Sequence, residues 1–127
     1  MIEIMLVGMG GLIGAVLRYI LNGYIKNLTS GSEFPFGTLT VNVCGCMAIG
    51  IFSRWDELKS IFSPEIRLLI FMGILGAFTT FSTFGNETVQ LINDRKLDFA
   101  LLNVLSQLFL GIFAILAGRF LTSFFLK

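Results

Sequence analysis

Four long apolar stretches restrict what this chain can fold into more than any other feature of its sequence. A helix needs about 20 mostly apolar residues to cross the hydrocarbon core of a bilayer. The stretches run approximately over residues 2–25, 37–54, 65–92 and 99–126, and the second can continue as a helix past Arg54. Only short polar or charged connections separate them, so no room remains for a soluble domain. The sequence predicts an all-α membrane protein, with one domain of four transmembrane helices over residues 1–127.

The composition agrees with a lipid environment. Hydrophobic residues make up 55% of the 127 positions and charged residues 13%, whereas about 25% charged residues is usual in soluble domains. A soluble fold of this size buries too small a fraction of its surface to hide so many apolar side chains. The formal net charge of +1 gives no sign of a nucleic-acid partner. We therefore expect the lipid bilayer, and no nucleic acid, as the surroundings.

The residues exclude several classes of active site. The sequence contains no histidine, which excludes His-based metal sites and His general bases, and it has no Walker or Rossmann glycine pattern. Cys44 and Cys46 lie two positions apart in an apolar stretch. On a helix they point to different sides, so we expect packing roles and no disulfide between them. Nothing in the chain resembles a catalytic set, and we expect no enzyme.

The basic residues barely distinguish the two sides of the membrane. Lys and Arg normally gather on the cytoplasmic side. With four spans, one side carries Arg54, Lys59, Arg67, Arg119 and Lys127, and the other carries Arg18, Lys26, Arg95 and Lys96. This near-balance leaves two interpretations open. One is a single fixed orientation; the other is dual topology, in which copies insert both ways and pair antiparallel.

Polar residues recur within the predicted spans, where they are costly and normally face a bundle interior or a water-filled path. Singly, Ser and Thr can bond to carbonyls of their own helix, and Asn or Gln can hold helices together. The number of them in so small a protein favours a path for a polar solute. They are Arg18, Asn42, Thr79, Thr80, Ser82, Thr83, Asn86, Glu87, Asn103, Ser106 and Gln107. In the first span, the GxxxG spacing of Gly10 and Gly14 also predicts close helix packing.

The segment GAFTTFSTFGNE, from Gly76 to Glu87, interrupts the third apolar stretch. Gly and adjacent β-branched residues are poor helix formers, so the sequence predicts a helix broken in mid-membrane. Broken helices expose carbonyls that suit a hard cation and N–H groups that suit an anion. Phe81 and Phe84 lie three apart and could turn their positive ring edges toward an anion. Spacing alone favours a simpler reading, in which Phe78, Phe81 and Phe84 form a packing stripe.

Three stretches together resemble the motifs of a known membrane family. GAFTTFSTFGNE is similar to the third-helix signature of the small fluoride channels called Fluc or CrcB. GTLTVNVCGCMAIG (Gly37–Gly50) is similar to their second-helix motif, and GMGGLIGAVLRY (Gly8–Tyr19) to their first-helix motif. The resemblance covers nearly the whole chain and is weakest in the fourth helix. It implies passive, fluoride-selective channels built as antiparallel, dual-topology homodimers with two pores, in the cell membrane and most simply a bacterial inner membrane.

The resemblance also implies roles for individual residues. A structural sodium ion at the dimer centre would be held by the main-chain carbonyls of Gly76 and Thr79. The fluoride pore would be formed by Asn42, Phe81, Phe84, Ser82, Thr83 and Glu87, and Arg18 would serve folding or the vestibule. Four positions depart from the usual family pattern, so the polar lining is expected to differ at one end: Phe78, Gly85, Gln107 and Gly111.

Two other functions remain open on the sequence. A small proton-coupled multidrug exporter needs a deep carboxylate in the first helix, but the only acid there is Glu3, close to the terminus. A structural subunit without transport would use its hydroxyl groups only for capping and packing. In that case, replacing Phe81 or Phe84 by Ile would change stability and not flux.

Overall fold

The structure describes residues 1–126 of the chain in a computed structural model, and these residues form helices joined by short non-helical connections. Its elements are α1 (Ile2–Leu28), α2 (Phe36–Lys59), α3 (Pro64–Arg67), a π-helix (Leu68–Leu75), α4 (Gly76–Phe78), α5 (Phe81–Asn93) and α6 (Leu97–Phe125). These residues contain no strand. Four segments within them are long and apolar enough to cross a membrane: Ile2–Leu28, Phe36–Lys59, Pro64–Asn93 and Leu97–Phe125. The chain is therefore an all-helical, multi-pass membrane protein, as predicted.

The third span consists of several helical pieces in sequence. Its start follows from local chemistry, because the Ser63 side chain accepts a hydrogen bond from the Ile66 N–H at 3.3 Å and Pro64 occupies the first turn. The π-helix and α4 then continue to Phe78. Thr79 and Thr80 have extended backbones, with ψ angles of 157° and 114°, before α5 begins at Phe81.

Two helices extend beyond their predicted bounds. α1 continues to Leu28, and α2 continues past Arg54 to Lys59. Charged residues at the end of α2 are held against α6, since Arg119 donates to both carboxylate oxygens of Glu57, at 2.9 and 2.8 Å. The Arg54 Nε also donates to Ser123 Oγ at 2.8 Å. These bonds let a charged turn remain helical where hydropathy alone suggested an end.

Close packing joins α1 to the π-helix and α4. Gly10 and Gly14 are buried on this face of α1. A Cβ atom added to Gly10 would lie 2.6 Å from the Leu69 carbonyl oxygen, and one added to Gly14 would collide with the Ile74 carbonyl oxygen. The GxxxG prediction is confirmed, because both glycines allow backbone-to-backbone approach.

A second set of small residues joins α2 to α6. A Cβ atom on Gly50 would collide with the Ile115 carbonyl oxygen, and Gly118 lies equally close to the backbone of α2 near Met47. Cys46 packs near Gly111, and both thiols of the chain are free. The outer surfaces of α1 and α6 expose large apolar side chains, as expected for helices that face lipid. The polar side chains gather where α2, α5 and α6 meet.

The two ends of the bundle carry different ion pairs. At the end that holds the α1–α2 and α5–α6 connections, Lys96 Nζ lies 2.6 Å from Glu33 Oε1. At the other end, Arg67 pairs with Asp56 at 2.7 Å and Arg119 with Glu57 at 2.8 Å. We call the first the Glu33 end and the second the Glu57 end.

Candidate functional site

The Asn42 side chain on α2 pairs with the backbone at the interruption of the third span. Its Nδ2 donates to the Thr80 carbonyl oxygen at 3.0 Å, and its Oδ1 accepts from the Thr80 N–H at 2.8 Å. An amide side chain can satisfy a backbone donor and acceptor together in this way. Asn42 therefore supplies the acceptor that the Thr80 N–H lacks, adds a donor to the Thr80 carbonyl, and holds the extended segment against α2.

The interruption leaves several carbonyl groups without their helical donors, among them those of Gly76 and Thr79. In a continuous α-helix the N–H of each residue donates to the carbonyl four residues earlier. The Thr80 N–H would reach Gly76, but it donates to Asn42 instead. The Thr83 N–H would reach Thr79, but it donates to Thr80 Oγ1 at 3.2 Å. The resemblance implies sodium ligands at the carbonyls of these same two residues, and that role stays a prediction.

The Thr80 side chain starts the next helix. Its Oγ1 accepts from the Thr83 N–H and donates to Thr83 Oγ1 at 2.8 Å, so it acts as the N-cap of α5. Thr83 was predicted as a residue of the path, whereas Thr80 had no predicted role of its own. The capping spacing between Thr80 and Thr83 was the signal that could have identified it.

Gln107 on α6 extends the Asn42 contact to a third element. Gln107 Oε1 accepts from Asn42 Nδ2 at 3.0 Å. Its Nε2 is buried and has no hydrogen-bond partner within residues 1–126. Buried polar groups normally have a partner, so this amide offers an unused donor beside Asn42.

Glu87 contacts the face of α2 that carries Asn42, one helical turn before Asn42. Thr38 is 1% exposed, and its Oγ1 donates to Glu87 Oε1 at 2.8 Å. Glu87 Oε2 is buried without a partner in the described part of the chain. Because Thr38 and Asn42 are four residues apart, they share one helix face. Thr38 was not among the candidate residues predicted from the sequence, although it follows Gly37 in the GTL motif.

A separate set of hydrogen bonds connects α5 to α6. Asn103 is fully buried, and its Nδ2 donates to Thr88 Oγ1 at 3.0 Å. The Thr88 hydroxyl in turn donates to the Phe84 carbonyl oxygen at 2.8 Å. These bonds hold α5 against α6 at Thr88, one helical turn after the aromatic residue Phe84.

The candidate pore residues fall into two groups. Asn42, Thr83 and Glu87 belong to what we call the polar line, the hydrogen-bonding groups of Thr38, Asn42, Thr80, Thr83 and Glu87 along α2 and α5. Phe81 and Ser82 lie on the exposed side of α5, and the Phe81 side chain is 82% exposed. The rings of Phe81 and Phe84 meet edge to face, with centroids 5.4 Å apart. Within one chain, Phe81 is therefore not part of a buried packing stripe.

Arg18 lines a cavity of about 390 Å³ that borders the interruption. Its other polar walls are the side chains of Asn22, Thr38, Thr80 and Thr83. Asn22 Oδ1 is buried and unbonded among residues 1–126. Arg18 brings a positive charge to the wall that also holds these hydroxyl groups, and the folding or vestibule role that the resemblance implies for it stays a prediction.

Comparison with known proteins connects this architecture to one family. Residues 5–119 match the family described as CrcB-like protein, Camphor Resistance (CrcB). The chain is 44% identical over 119 residues to a fluoride-specific ion channel FluC 3 from Methanosarcina barkeri, covering 94% of this chain and 89% of that one. It is 46% identical over 119 residues to a fluoride-specific ion channel FluC from Shewanella frigidimarina, covering 94% of both.

These matches span all four membrane segments and include every residue of the polar line. They agree with the resemblance found in the three motifs of the first, second and third spans. The chain therefore belongs to the CrcB family, with relatives that carry the name fluoride-specific ion channel.

Proposed function

We propose that this protein is a passive, fluoride-selective channel that lets cytoplasmic fluoride leave the cell down its electrochemical gradient. The observation that carries the proposal is a line of polar groups inside an apolar bundle. They are Asn42 and Thr38 on α2, Thr80 at the cap of α5, and Thr83 and Glu87 on α5. The names of the relatives support fluoride as the solute. A conducting site needs binding that is strong enough for entry and weak enough for release, which suits hydroxyl groups and aromatic edges.

The chemistry of fluoride explains why a passive channel suffices. Hydrogen fluoride is a weak acid and crosses membranes in its neutral form. In a near-neutral cytoplasm it loses its proton, and the anion is trapped. An inside-negative membrane potential then drives the anion out through any selective pore, so the protein needs neither a nucleotide site nor a catalytic residue.

We also propose that a second copy, inserted with the opposite orientation, covers the exposed side of α5. Phe81, Ser82 and Asn86 are exposed on this helix, and polar groups within a membrane require protein or water as neighbours. A Cβ atom at Gly85 would meet no atom within 4 Å, so this position leaves space for a close approach. The nearly equal basic charge on the two sides supports both orientations.

In such a dimer, the Thr79–Thr80 interruption would lie near mid-membrane, with the two copies of each released carbonyl facing one another. We propose that a structural sodium ion binds there, held by the Gly76 and Thr79 carbonyls of each copy. The ion would supply the positive charge that these carbonyl dipoles need when no helical donor reaches them. The Thr79 hydroxyl already donates to the Leu75 carbonyl at 3.0 Å, so the main chain, not the side chain, remains for the ion.

The residues of the path have distinct proposed roles. Asn42 fixes the extended segment and so presents the first N–H groups of α5, whose helix N-terminus favours an anion. Phe81 and Phe84 offer ring edges with weak positive potential. Ser82, Thr83 and Glu87 continue the polar lining, and Arg18 supplies positive charge at the cavity beside it.

Fluoride release from liposomes that contain the purified protein tests the function directly. A fluoride electrode follows release, and parallel vesicles loaded with chloride test selectivity. Rapid release of fluoride with no release of chloride is the expected result. If a folded, dimeric preparation releases neither ion, the channel assignment is wrong and a structural role becomes the better account.

A further inference from the structure

Charged and hydroxyl side chains join α2 to α6 at the Glu57 end. Arg119 donates to both carboxylate oxygens of Glu57, at 2.9 and 2.8 Å, and Arg54 Nη1 donates to Glu57 Oε2 at 3.2 Å. Arg54 Nε donates to Ser123 Oγ at 2.8 Å. We call these four residues the Arg119 cluster. It contains two guanidinium groups and one carboxylate, so its net charge is positive.

The internal bonds of the Arg119 cluster do not use all of its donors. They engage Nε and Nη1 of Arg54 and leave the N–H groups of its Nη2 for another acceptor. Ser123 Oγ accepts from Arg54 and can still donate its own hydrogen. The side chains of Arg54, Arg119 and Glu57 are 32%, 36% and 48% exposed. An external acceptor can therefore reach the cluster.

The Arg119 cluster lies at the level where the hydrocarbon of a bilayer ends. Arg119 follows Phe99 by 20 positions on α6, and a helix of that length spans about 30 Å, the thickness of the hydrocarbon core. Arg54 ends the second apolar stretch, and its neighbour Trp55 is of a residue type enriched at the membrane–water interface. The anions at this level are the headgroups of phospholipids.

An apolar stripe on α6 runs from the middle of the span to the Arg119 cluster. Its five members recur every three or four residues and therefore share one helix face: Phe109, Phe113, Leu116, Phe120 and Phe124. Each of them is between 59% and 69% exposed. Arg119 and Ser123 directly precede two members in sequence, so charged donors and apolar surface lie side by side. The stripe is about 22 Å long, enough to accompany one acyl chain across its leaflet of about 15 Å.

We propose that the Arg119 cluster binds the phosphate of one phospholipid with a net negative headgroup, and that an acyl chain of this lipid lies along the stripe. Arg recognises phosphate through two parallel N–H···O bonds. A zwitterionic lipid presents the same phosphate but carries its own cation, which the positive net charge of the cluster repels. The inference does not depend on fluoride conduction, because it needs only the membrane location of the chain.

Glu57 sets how strongly the cluster attracts such a lipid. Its carboxylate occupies the guanidinium edge of Arg119 that a phosphate would take, so the two anions compete. Glu57→Gln removes the competing charge and should bind the lipid more tightly. Arg119→Gln and Arg54→Gln each remove a positive charge and should bind it less tightly. A purely structural role of these ion pairs predicts changes in the same direction for all three variants, because each variant breaks the same contacts.

The test titrates the purified protein in detergent with palmitoyl-oleoyl phosphatidylglycerol, or with phosphatidylcholine of the same acyl chains, and counts bound lipids by native mass spectrometry. We expect one phosphatidylglycerol per subunit, bound about fivefold more tightly than phosphatidylcholine, from the attraction between one basic residue and an anionic lipid. Arg119→Gln and Arg54→Gln should each weaken phosphatidylglycerol binding by about the same factor, and Glu57→Gln should strengthen it.

The matched control is Lys96→Gln, which removes a positive charge from an exposed ion pair at the Glu33 end and should leave binding unchanged. Melting in detergent without added lipid shows that each variant is folded. Equal affinity for the two lipids, or changes in the same direction for Glu57→Gln and Arg119→Gln, would overturn the proposal. Displacement of phosphatidylglycerol by millimolar inorganic phosphate would assign the cluster to a free anion instead. If Arg119→Gln changes the oligomeric mass and not lipid binding, the stripe is an interface between copies of the chain, and the lipid site is wrong.

Discussion

Asn42 and Thr80 form a two-way hydrogen-bonded pair, in which one side-chain amide contacts both the N–H and the carbonyl of one backbone residue. The two distances are 3.0 Å for Nδ2 to the Thr80 oxygen and 2.8 Å for the Thr80 nitrogen to Oδ1. Specific hydrogen bonds therefore hold the interruption of the third span against the second span, and it is not a loosely ordered turn. The released carbonyls of Gly76 and Thr79, and the start of α5, both depend on it.

Replacing Asn42 by Asp should disrupt this pair. A carboxylate can still accept from the Thr80 N–H, but it cannot donate to the Thr80 carbonyl or to Gln107, and it places charge against both oxygens. Leaving such buried groups unsatisfied costs about 1–3 kcal/mol each. We expect fluoride release to fall at least about tenfold, since each 1.36 kcal/mol of barrier is a factor of ten. Fluoride release with wild-type rate, from a variant that elutes as a normal dimer in size exclusion, would contradict the pore role.

Gln107 permits a finer test, because its two amide atoms have different surroundings. Gln107→Glu keeps the oxygen that accepts from Asn42 but removes the unbonded Nε2 donor, whereas Gln107→Met removes both. If the free donor faces the conducting ion, both variants should slow fluoride release several-fold. If Gln107 only positions Asn42, Gln107→Met should slow release and Gln107→Glu should slow it much less. Thermal melting of both variants in detergent controls for loss of folding.

The sequence predicted the positions of the spans well, because twenty-residue apolar stretches leave few alternatives in a bilayer. It indicated that α2 can continue past Arg54 but not where α2 ends, since the contact between Glu57 and Arg119 joins residues 62 positions apart. It predicted close packing at Gly10 and Gly14 from a short-range spacing, but it missed the contact of Gly50 with the backbone of α6. That contact depends on a partner helix that no local pattern identifies.

The same distinction applies to the candidate site. A family motif and an unusual run of hydroxyl residues were enough to select Asn42, Thr83 and Glu87. The partners of these residues required the fold: Thr38 for Glu87, Thr80 for Asn42, and Gln107 on α6. Sequence spacing could also not decide whether Phe81 is a packing residue. Its exposure in the single chain argues against packing within the subunit, and its role in the pore stays a prediction.

Phe81→Ile tests that role. Ile has a similar apolar bulk but lacks the positive ring edge that an anion can approach. We expect fluoride release to fall sharply, by tenfold or more on an order-of-magnitude estimate, while the dimer stays assembled. Phe109→Ile is the matched control, because Phe109 is also largely exposed but lies on α6, away from the polar line. Equal release by Phe81→Ile, Phe109→Ile and wild type would favour a structural role for Phe81.

Thr79 should act on sodium through its carbonyl and not through its side chain. Its hydroxyl donates to the Leu75 carbonyl at 3.0 Å, and Thr79→Ser can keep that bond. We expect the Ser variant to retain sodium-dependent stability of the dimer, measured as the shift in melting temperature between sodium and a larger organic cation. Loss of that shift in Thr79→Ser would argue against a main-chain site.

The last prediction concerns the packing of α1, and it has an internal control two residues apart in sequence. Gly10→Ala would place a Cβ atom 2.6 Å from the Leu69 carbonyl and 2.9 Å from the Gly73 Cα, which a packed backbone cannot accommodate without shifting. Such overpacking costs about 1–3 kcal/mol. Gly8→Ala meets no atom within 4 Å, and Ala is favoured over Gly in a helix interior by about 0.5–1 kcal/mol. In detergent, Gly10→Ala should therefore melt below wild type and Gly8→Ala at or above it.

Because Gly10 contacts the π-helix that leads to Gly76, Gly10→Ala should also slow fluoride release in liposomes, and Gly8→Ala should not. Equal melting temperatures for the two variants would show that α1 does not approach the third span as closely as this structure indicates.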